Sequence, residues 1–278
     1  MPYKADDRYE TPGGAEEMWR FMDLLKFTHL LETSSLWFSR LDLLDDPREG
    51  RFTNFELQHV RASGELGEVF FRAAELSRRH SFVNCWFGSK EESIAMWKLF
   101  GSVAIRTSAA KIITALTSAS QTIYMGRVKY LKWQSDIMSP DIHSRVMVVR
   151  KSSPYTHESE VRLLITDQSA LSNPVTSAKI ASAQETALHD SKQLSEFQMS
   201  KVIHDILMCA EVPTGLRVQV DLNELLAEVI VGPDLPEWAA SHFSKLLQRY
   251  DVTCPVRLSE MHDANNTGYR EIGPSRQI

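Results

Sequence analysis

Residues 155–162 carry two carboxylates and a guanidinium at alternating positions. Alternate residues of a strand share one face at a spacing of about 6.5–7 Å, so Glu158, Glu160 and Arg162 project together if this segment is extended. Two carboxylates at that distance resist ionising together in a partly dry site, and the charge of Arg162 or Lys151 offsets the repulsion. Such a pair can orient a hydroxyl group and stabilise a cationic transition state.

The same spacing also fits a ladder of ion pairs on the solvent-exposed face of a sheet, which has little energetic or chemical content. Taken alone, the spacing favours this surface ladder over a reactive site. The chemical interpretation therefore requires that Glu158, Glu160 and Arg162 face a hollow in the protein instead of bulk water.

Arg20 is the one charge inside an apolar segment predicted to be a strand, and a buried arginine needs a partner. It either pairs with Asp46 or Glu49 in the turn-rich loop 44–50 or points at a phosphate or carboxylate of a ligand. Asp46 itself fits the rim of a pocket or a turn held by its own hydrogen bonds. The residue types leave both alternatives open.

Tryptophans are concentrated in the first hundred residues, which hold four of the six. Core packing is the usual explanation, and it is favoured for Trp86. An indole also suits the wall of a pocket for a flat ligand, because its N–H needs a partner. For Trp97, which Lys98 follows, the two explanations are equally good.

The sequence lacks the common catalytic and metal-binding signatures. Its three cysteines stand far apart without a CxxC pair, which predicts neither a disulfide framework nor a zinc site, and Cys85 fits a buried, inert thiol. Val161 stands where an HExxH motif starting at His157 needs its second histidine. No P-loop, GxGxxG or GxSxG is present. We therefore expect no bound metal.

Composition narrows the classes of partner. The 278 residues have a formal net charge of −5, which argues against general nucleic-acid binding, although a local basic pocket is compatible with it. No apolar run approaches the roughly 18–20 residues that span a bilayer, and residues 1–7 lack an apolar signal core. The sequence predicts a cytoplasmic protein without membrane contact.

Strand-like and helix-like segments alternate along the chain. They predict an α+β fold: a single domain with a central mixed or antiparallel, possibly split, sheet flanked by helices. Hydrophobic periodicity predicts strands or β-branched runs at 19–22, 36–40, 82–87, 103–105, 122–131, 146–150, 160–166, 216–220, 229–231 and 255–258. It predicts helices after Asp23, over 55–79, over 91–100, after Ser108 and over 237–250.

Polar segments set the expected boundaries of this domain. Residues 1–17 are predicted to be a flexible lead-in and residues 263–278 a flexible tail, so the domain covers 18–262. Within it, residues 167–196 are rich in Ser, Ala, Gln and Thr and lack aromatic residues. This composition favours a solvated polar insertion over a functional lid.

Short motifs follow one another in a fixed order along the chain. They lie at 18–23, 36–40, 46–50, 83–86, 92–98, 103–105, 126–130 and 229–233, and they include Lys151 with the Glu-x-Glu-x-Arg motif at 158–162. This series, which covers roughly residues 18–260, resembles the bacterial and phage family called domain of unknown function 2971.

The layout is also similar to that of the ADP-ribosyltransferase superfamily, in which a basic residue on the first strand holds the dinucleotide and a Glu-x-Glu strand supplies the catalytic carboxylate. This resemblance implies NAD as substrate, with Arg20 in the first role, Glu160 as the catalytic carboxylate and Glu158 placing the acceptor. The chain departs from the superfamily in lacking a Ser-Thr-Ser element, for which neither Ser39 nor Trp97 is a convincing substitute. The predicted ligand-binding set is completed by Arg162, Lys151, Trp97, Lys98 and Asp46.

These resemblances predict an ADP-ribosyltransferase-like enzyme or NAD glycohydrolase of the toxin or phage-conflict kind. A nucleotide is its expected ligand, and a macromolecular acceptor or a partner protein is a further expected partner. The alternative is a non-catalytic nucleotide- or protein-binding module of a bacterial or phage defence system. A third interpretation assigns the motifs only to packing. The ADP-ribosyltransferase resemblance requires Arg20 and Glu160 to line one cavity, and it fails if they lie on opposite sides of the sheet.

Overall fold

A mixed β-sheet with helices on both faces forms the framework of the protein, which a computed structural model describes over residues 2–116, 119–136, 144–166, 174–189 and 195–262. The strands are β1 (Glu17–Met22), β2 (Ser35–Arg40), β3 (Ser81–Gly88), β4 (Val103–Ser108), β5 (Tyr124–Arg127), β6 (Lys129–Leu131), β7 (Arg150–Ser152), β8 (Glu160–Thr166), β9 (Gly215–Gln219), β10 (Glu228–Val231) and β11 (Val256–Leu258). The helices are α1 (Leu24–Thr33), α2 (Asn54–Ala62), α3 (Gly64–Arg79), α4 (Ile94–Phe100), α5 (Ala109–Ala115), α6 (Ser144–Met147), α7 (Pro174–His189), α8 (Glu196–Met208), α9 (Leu222–Leu225) and α10 (Trp238–Arg249). Two 3₁₀ helices cover Leu41–Leu43 and Ser153–Glu158.

Nine of the described strands form one sheet. Seven of them follow the order β11-β10-β4-β1-β3-β2-β9, while β8 pairs with β3 and carries β5. The pairs are antiparallel except for β10 with β11, and β6 and β7 form a separate parallel pair. This arrangement confirms the predicted α+β class with a central mixed sheet flanked by helices.

The sheet is split at its centre, because β1 and β2 share one edge of β3. Strand β1 pairs with β3 at Phe87 and Gly88, whereas β2 pairs with it at Phe82 and Val83. The intervening residues 84–86 pair with neither strand on that edge. On the opposite edge, β8 pairs with β3 without interruption. The split leaves a gap between β1 and β2 over the middle of β3.

Helix α1 begins where the sequence predicts it, because Asp23 accepts a hydrogen bond from the backbone N–H of Lys26 at 2.8 Å. Phe27, Leu30 and Leu31 form its buried face. This face packs on the same side of the sheet as α5 and α10 in the main hydrophobic core. Helix α4 packs on the opposite side of the sheet, where it forms a second hydrophobic cluster with side chains of β1.

The connection from α4 to β4 depends on Gly101, whose φ of +134° is poorly tolerated by other residues. A Cβ atom at this position lies 2.4 Å from the carbonyl carbon of Met22. We expect Gly101→Ala to lower the free energy of unfolding by about 2 kcal/mol, measured by urea denaturation. Gly13→Ala is the control, since nothing lies within 4 Å of its Cβ position. An equal loss in both variants contradicts this prediction.

Three predicted elements differ from those observed. Residues 55–79 form two helices instead of one, because the chain turns at Gly64 with a φ of 60°. The predicted strand 122–131 is divided into β5 and β6, which belong to different sheets. The β-branched run 146–150 lies mostly in α6 and the turn after it, and β7 begins only at its last residue, Arg150.

The predicted flanking segments are described in part. Residues 2–16 make defined contacts, including a β-bridge between Tyr3 and Ile123 and a buried Tyr9 side chain. The region predicted as a polar insertion contains α7 and the start of α8, while 167–173 and 190–194 lie outside the described residues, as does the predicted tail 263–278. None of the described helices has the length and apolar character needed to span a lipid bilayer.

Candidate functional site

A cavity of about 680 Å³ opens at the split in the sheet. Its volume lies within the roughly 300–1,000 Å³ of typical ligand sites. The walls come from β1, β2, β3, the exposed side of α1, the loop before Gly50 and the 3₁₀ helix Ser153–Glu158. Charged groups that line it are Arg20, Lys26, Asp45, Asp46, Glu49, Lys151, Glu158 and Glu160. Its aromatic lining is Trp19, Phe21, Trp37, Trp86, Phe87, Phe100 and Tyr155.

Arg20 and Glu160 both line this cavity, but they project from opposite faces of the sheet. Trp19 pairs with Phe87, and Phe87 pairs with Glu160, so these three side chains share one face. Arg20 follows Trp19 and therefore points to the other face. The split joins the two faces at this point, which is why one cavity contacts both side chains. The expectation of a single cavity is met, whereas the expectation of a single face is wrong. The roles that the ADP-ribosyltransferase resemblance assigns to Arg20 and Glu160 therefore do not carry over, and a function for this site has to be argued from the cavity itself.

The guanidinium of Arg20 has few partners for a half-buried cation. Its Nη1 donates to the backbone carbonyl of Cys85 at 2.9 Å, and its Cζ lies 5.8 Å from the ring centroid of Trp86. In the described part of the chain, Arg20 forms no ion pair with a carboxylate, including those of Asp46 and Glu49. Burial lowers the pKa of Arg20. Its remaining N–H donors are available to a ligand.

Arg162 is the centre of a buried ion cluster. Its side chain is fully buried, and its Nε donates to Glu160 Oε1 at 2.7 Å. Its Nη2 donates to Glu49 Oε2 and, at 3.1 Å, to Glu160 Oε2. Its Nη1 donates to the carbonyl of Val148 at 2.7 Å. The side chains of Glu49 and Glu160 are only 1% and 4% exposed, so this group is not a ladder of surface ion pairs.

Lys151 connects three carboxylates of the cluster. Its Nζ lies 2.5 Å from Glu158 Oε2, 3.2 Å from Glu160 Oε2 and 3.4 Å from Glu49 Oε1. The same ammonium lies 4.8 Å from the ring centroid of Tyr155, which covers it from the 3₁₀ helix. The sequence had predicted that Lys151 and Arg162 bind a ligand. In the structure both cations are instead bonded to the carboxylates of the cluster and offer no free donors to a ligand.

The cluster contains three carboxylates and two cations, and the protonation of its members differs. Burial by itself raises the pKa of Glu160, but the charges of Arg162 and Lys151 outweigh burial and lower this pKa to about 2. For Glu49 and Glu158, burial outweighs the neighbouring cations and raises the pKa. The surrounding carboxylates outweigh the effect of burial on Lys151 and raise the pKa of its ammonium.

Glu158 does not lie on the strand that the spacing predicts. It ends the 3₁₀ helix Ser153–Glu158, and Ser159, with a φ of 37°, reverses the chain before β8 begins at Glu160. The carboxylate nevertheless joins the cluster through Lys151. Its side chain is 12% exposed and lines the cavity, and no donor among the described residues is bonded to its Oε1.

Of the other predicted site residues, one lines the cavity and two lie outside it. Asp46 lines the cavity, where its Oδ1 accepts from the N–H of Arg48 at 3.0 Å and its Oδ2 from that of Ser152 at 3.4 Å. Trp97, a residue of α4, is not part of the cavity lining, because its ring packs edge-on against Phe21 in a hydrophobic cluster. Lys98 is also outside, on the surface, where its ammonium pairs with Asp234 at 2.7 Å.

Two members of the site were not among the predicted site residues. Glu49 follows a Pro-Arg turn that looks like an ordinary loop, yet Gly50 with a φ of 70° lets this loop approach Arg78 closely enough to bury the carboxylate. Cys85 lines the cavity close to the carboxylate of Glu160. Burial raises the pKa of Cys85 well above its ordinary value, so the thiol stays protonated and is a poor nucleophile.

The described residues contain no group of three or more His, Cys, Asp or Glu side chains arranged to hold a metal ion. The carboxylates of the ion cluster are instead paired with Arg162 and Lys151.

Comparisons with known proteins give no match to this chain, whether by protein-family models, among curated proteins or among solved structures. The resemblances drawn from the sequence motifs therefore stay predictions.

Proposed function

We propose that the protein binds NAD in the split-sheet cavity and cleaves its nicotinamide–ribose bond, as a glycohydrolase or as an ADP-ribosyltransferase. The observation that carries this proposal is that an arginine with unused donors and a cluster of carboxylates open into the same cavity. The toxin or phage-conflict role that accompanies the family resemblance stays a prediction.

The charges of the cavity complement those of NAD, which combines an anionic pyrophosphate with a cationic pyridinium ring. Arg20 offers donors that match phosphate oxygens. The carboxylates of the cluster attract the pyridinium. Trp37, whose side chain is partly exposed on the cavity wall, and Tyr155 offer flat surfaces for the ring systems.

The proposed reaction needs no group beyond NAD, an acceptor and the carboxylates. The bond between ribose C1′ and the pyridinium nitrogen breaks, and its electron pair leaves with neutral nicotinamide. The oxocarbenium-like cation that develops on the ribose is stabilised by an ionised carboxylate. An oxygen of water, or a nucleophile of an acceptor, then bonds to C1′ and releases one proton.

A binding module without turnover is the second candidate, and a specific observation favours it. Both oxygens of Glu160, the residue matched to the catalytic position of the superfamily, are occupied by Arg162 and Lys151. A buried carboxylate held in this way contributes to structure, and a ribose hydroxyl has to compete with two cations for its oxygens. On this alternative the cavity recognises a nucleotide through Arg20 and the aromatic walls alone.

Incubation of the purified protein with NAD tests the proposal. We expect release of nicotinamide, measured by chromatography, and an increase in the melting temperature with NAD concentration, because NAD binds only the folded state. A higher melting temperature without nicotinamide release, with water or with added protein acceptors, supports the binding module. If NAD produces neither effect, both the cleavage of NAD and its binding in this cavity are wrong.

Replacing Arg20 with methionine tests the proposed phosphate contact. Losing a charged hydrogen bond of about 1.5–3 kcal/mol is expected to weaken NAD binding by roughly tenfold to a hundredfold, measured by titration calorimetry. Arg51→Met is the matched control, since Arg51 is 47% exposed, pairs with Glu75 and does not line the cavity. Equal affinities of the Arg20 variant and the wild type contradict a role for Arg20 in binding.

A further inference from the structure

Resting on the proposed function, we infer that the carboxylate contacting the reacting ribose is that of Glu158, through its unoccupied Oε1. Glu160 is then a positioning residue that holds Lys151, which in turn holds Glu158. This assignment exchanges the roles that the Glu-x-Glu resemblance implies for the two residues. It follows from the hydrogen-bond partners of each oxygen in the cluster.

Charged donors take up most of the acceptor sites of the Glu160 carboxylate, whose side chain is only 4% exposed. Oε1 accepts from Arg162 Nε, and Oε2 accepts from Arg162 Nη2 and Lys151 Nζ. A ribose hydroxyl therefore competes with these charged partners for the buried oxygens, and close contact requires the displacement of one of them. Such a displacement leaves a buried charge without compensation, which costs several kcal/mol.

Glu158 has the opposite character. Lys151 occupies one of its oxygens at 2.5 Å, which fixes the side chain, while the other oxygen has no donor in the described part of the chain. The carboxylate lies on the cavity wall next to Tyr155 and is more exposed than Glu160. A fixed carboxylate with one free oxygen can accept a hydrogen bond from a ribose hydroxyl and stabilise positive charge on the sugar.

Rates of nicotinamide release by two variants separate the roles. We expect Glu158→Gln to lower kcat by roughly 10²–10³-fold without lowering the melting temperature, because the lost interaction is made mainly in the transition state. Glu160→Gln is expected to lower the melting temperature and to cause a smaller loss in kcat. Glu228→Gln is the matched control for rate, since Glu228 also pairs with arginines but lies outside the cavity lining.

The pH profile of kcat/KM gives a second test that does not depend on whether Glu160→Gln folds. The charged or titratable groups facing Glu158 are Lys151, Glu160, Glu49 and Tyr130. Burial raises the pKa of Glu158 above 4.5, and only its ionised form stabilises the cation. We therefore expect activity to fall as the pH decreases through a value above 4.5. Activity governed by Glu160, whose pKa is about 2, stays constant over this range.

The outcomes distinguish this inference from the proposed function. If the wild type releases no nicotinamide, the proposed function is wrong and the assignment of Glu158 falls with it. If the wild type is active but Glu158→Gln retains activity within about tenfold, only the assignment is wrong. A greater loss of kcat in a folded Glu160→Gln variant than in Glu158→Gln restores Glu160 to the catalytic role.

Discussion

Replacing Arg162 with methionine is expected to lower the free energy of unfolding by about 3–5 kcal/mol, because it leaves two carboxylates buried without their shared cation. Glu49 and Glu160 both accept hydrogen bonds from this guanidinium, and the Arg162 side chain is fully buried. The carbonyl of Val148 also loses its donor. Urea denaturation of the wild type and the variant measures the difference directly.

The matched control for Arg162→Met is Arg51→Met. Arg51 also pairs with a glutamate, but its side chain is 47% exposed, and we expect a change of no more than about 1 kcal/mol. Equal losses in the two variants contradict the view that burial gives the Arg162 cluster its energetic weight. They indicate instead that solvent reaches the cluster and screens its charges.

Removing the unpaired charge as well is expected to restore part of the stability. Arg162→Met combined with Glu160→Gln leaves Lys151 to neutralise Glu49, so the double variant is expected to lose less than the sum of the two single losses. A cycle of these variants measures the coupling energy. Strict additivity argues against direct interaction between Arg162 and Glu160.

The sequence predicted those parts of the fold that depend on local patterns. Helix α1 was predicted from its Asp23 cap and from apolar residues spaced three, four and seven positions apart. Strand β8 was predicted from alternating residue types over 160–166. The structure confirms the helix and the strand, although both faces of β8 are buried and not only the apolar one. The breaks at Gly64 and Ser159 were missed, because positive φ values depend on tertiary packing that local periodicity does not record.

The identity of several site residues could be predicted from the sequence, but their contacts and their burial could not. Glu158, Glu160 and Arg162 were identified from their spacing, and the structure connects all three through one ion cluster. Burial of this cluster was not visible, because Glu49 reaches it from a position 113 residues before Arg162. The surface ladder that the spacing favoured needs solvent on one face of β8, yet residues 160–165 of that strand are all buried.

Arg20 illustrates the same difference between residue type and position. Its charge within an apolar strand predicted either a carboxylate partner or a ligand. The structure gives it a backbone carbonyl, an indole face and an open cavity. No property of the sequence near Arg20 indicates that β1 and β2 share one edge of β3. The gap that frees the guanidinium arises from that non-local pairing.

Low pH is expected to reduce the free energy of unfolding in a defined range, because Glu160 becomes protonated. The pKa of this carboxyl falls from 4.5 to about 2 on folding, so its ionised form stabilises the folded state above pH 4.5. That contribution is lost as the pH falls from 4.5 to about 2. At about 1.4 kcal/mol per pKa unit, its magnitude is on the order of 3 kcal/mol.

Comparing Glu160→Gln with the wild type isolates this contribution, because glutamine does not titrate. The variant is expected to be less stable at pH 7, and the difference in unfolding free energy is expected to shrink by about 3 kcal/mol between pH 5 and pH 2. Glu158→Gln provides a contrast of opposite sign. Burial raises the pKa of Glu158, so its ionised form opposes folding, and this variant is expected to gain stability relative to the wild type as the pH rises above 4.5. A difference between Glu160→Gln and the wild type that stays constant from pH 7 to pH 2 contradicts an ionised Glu160 held by Arg162 and Lys151.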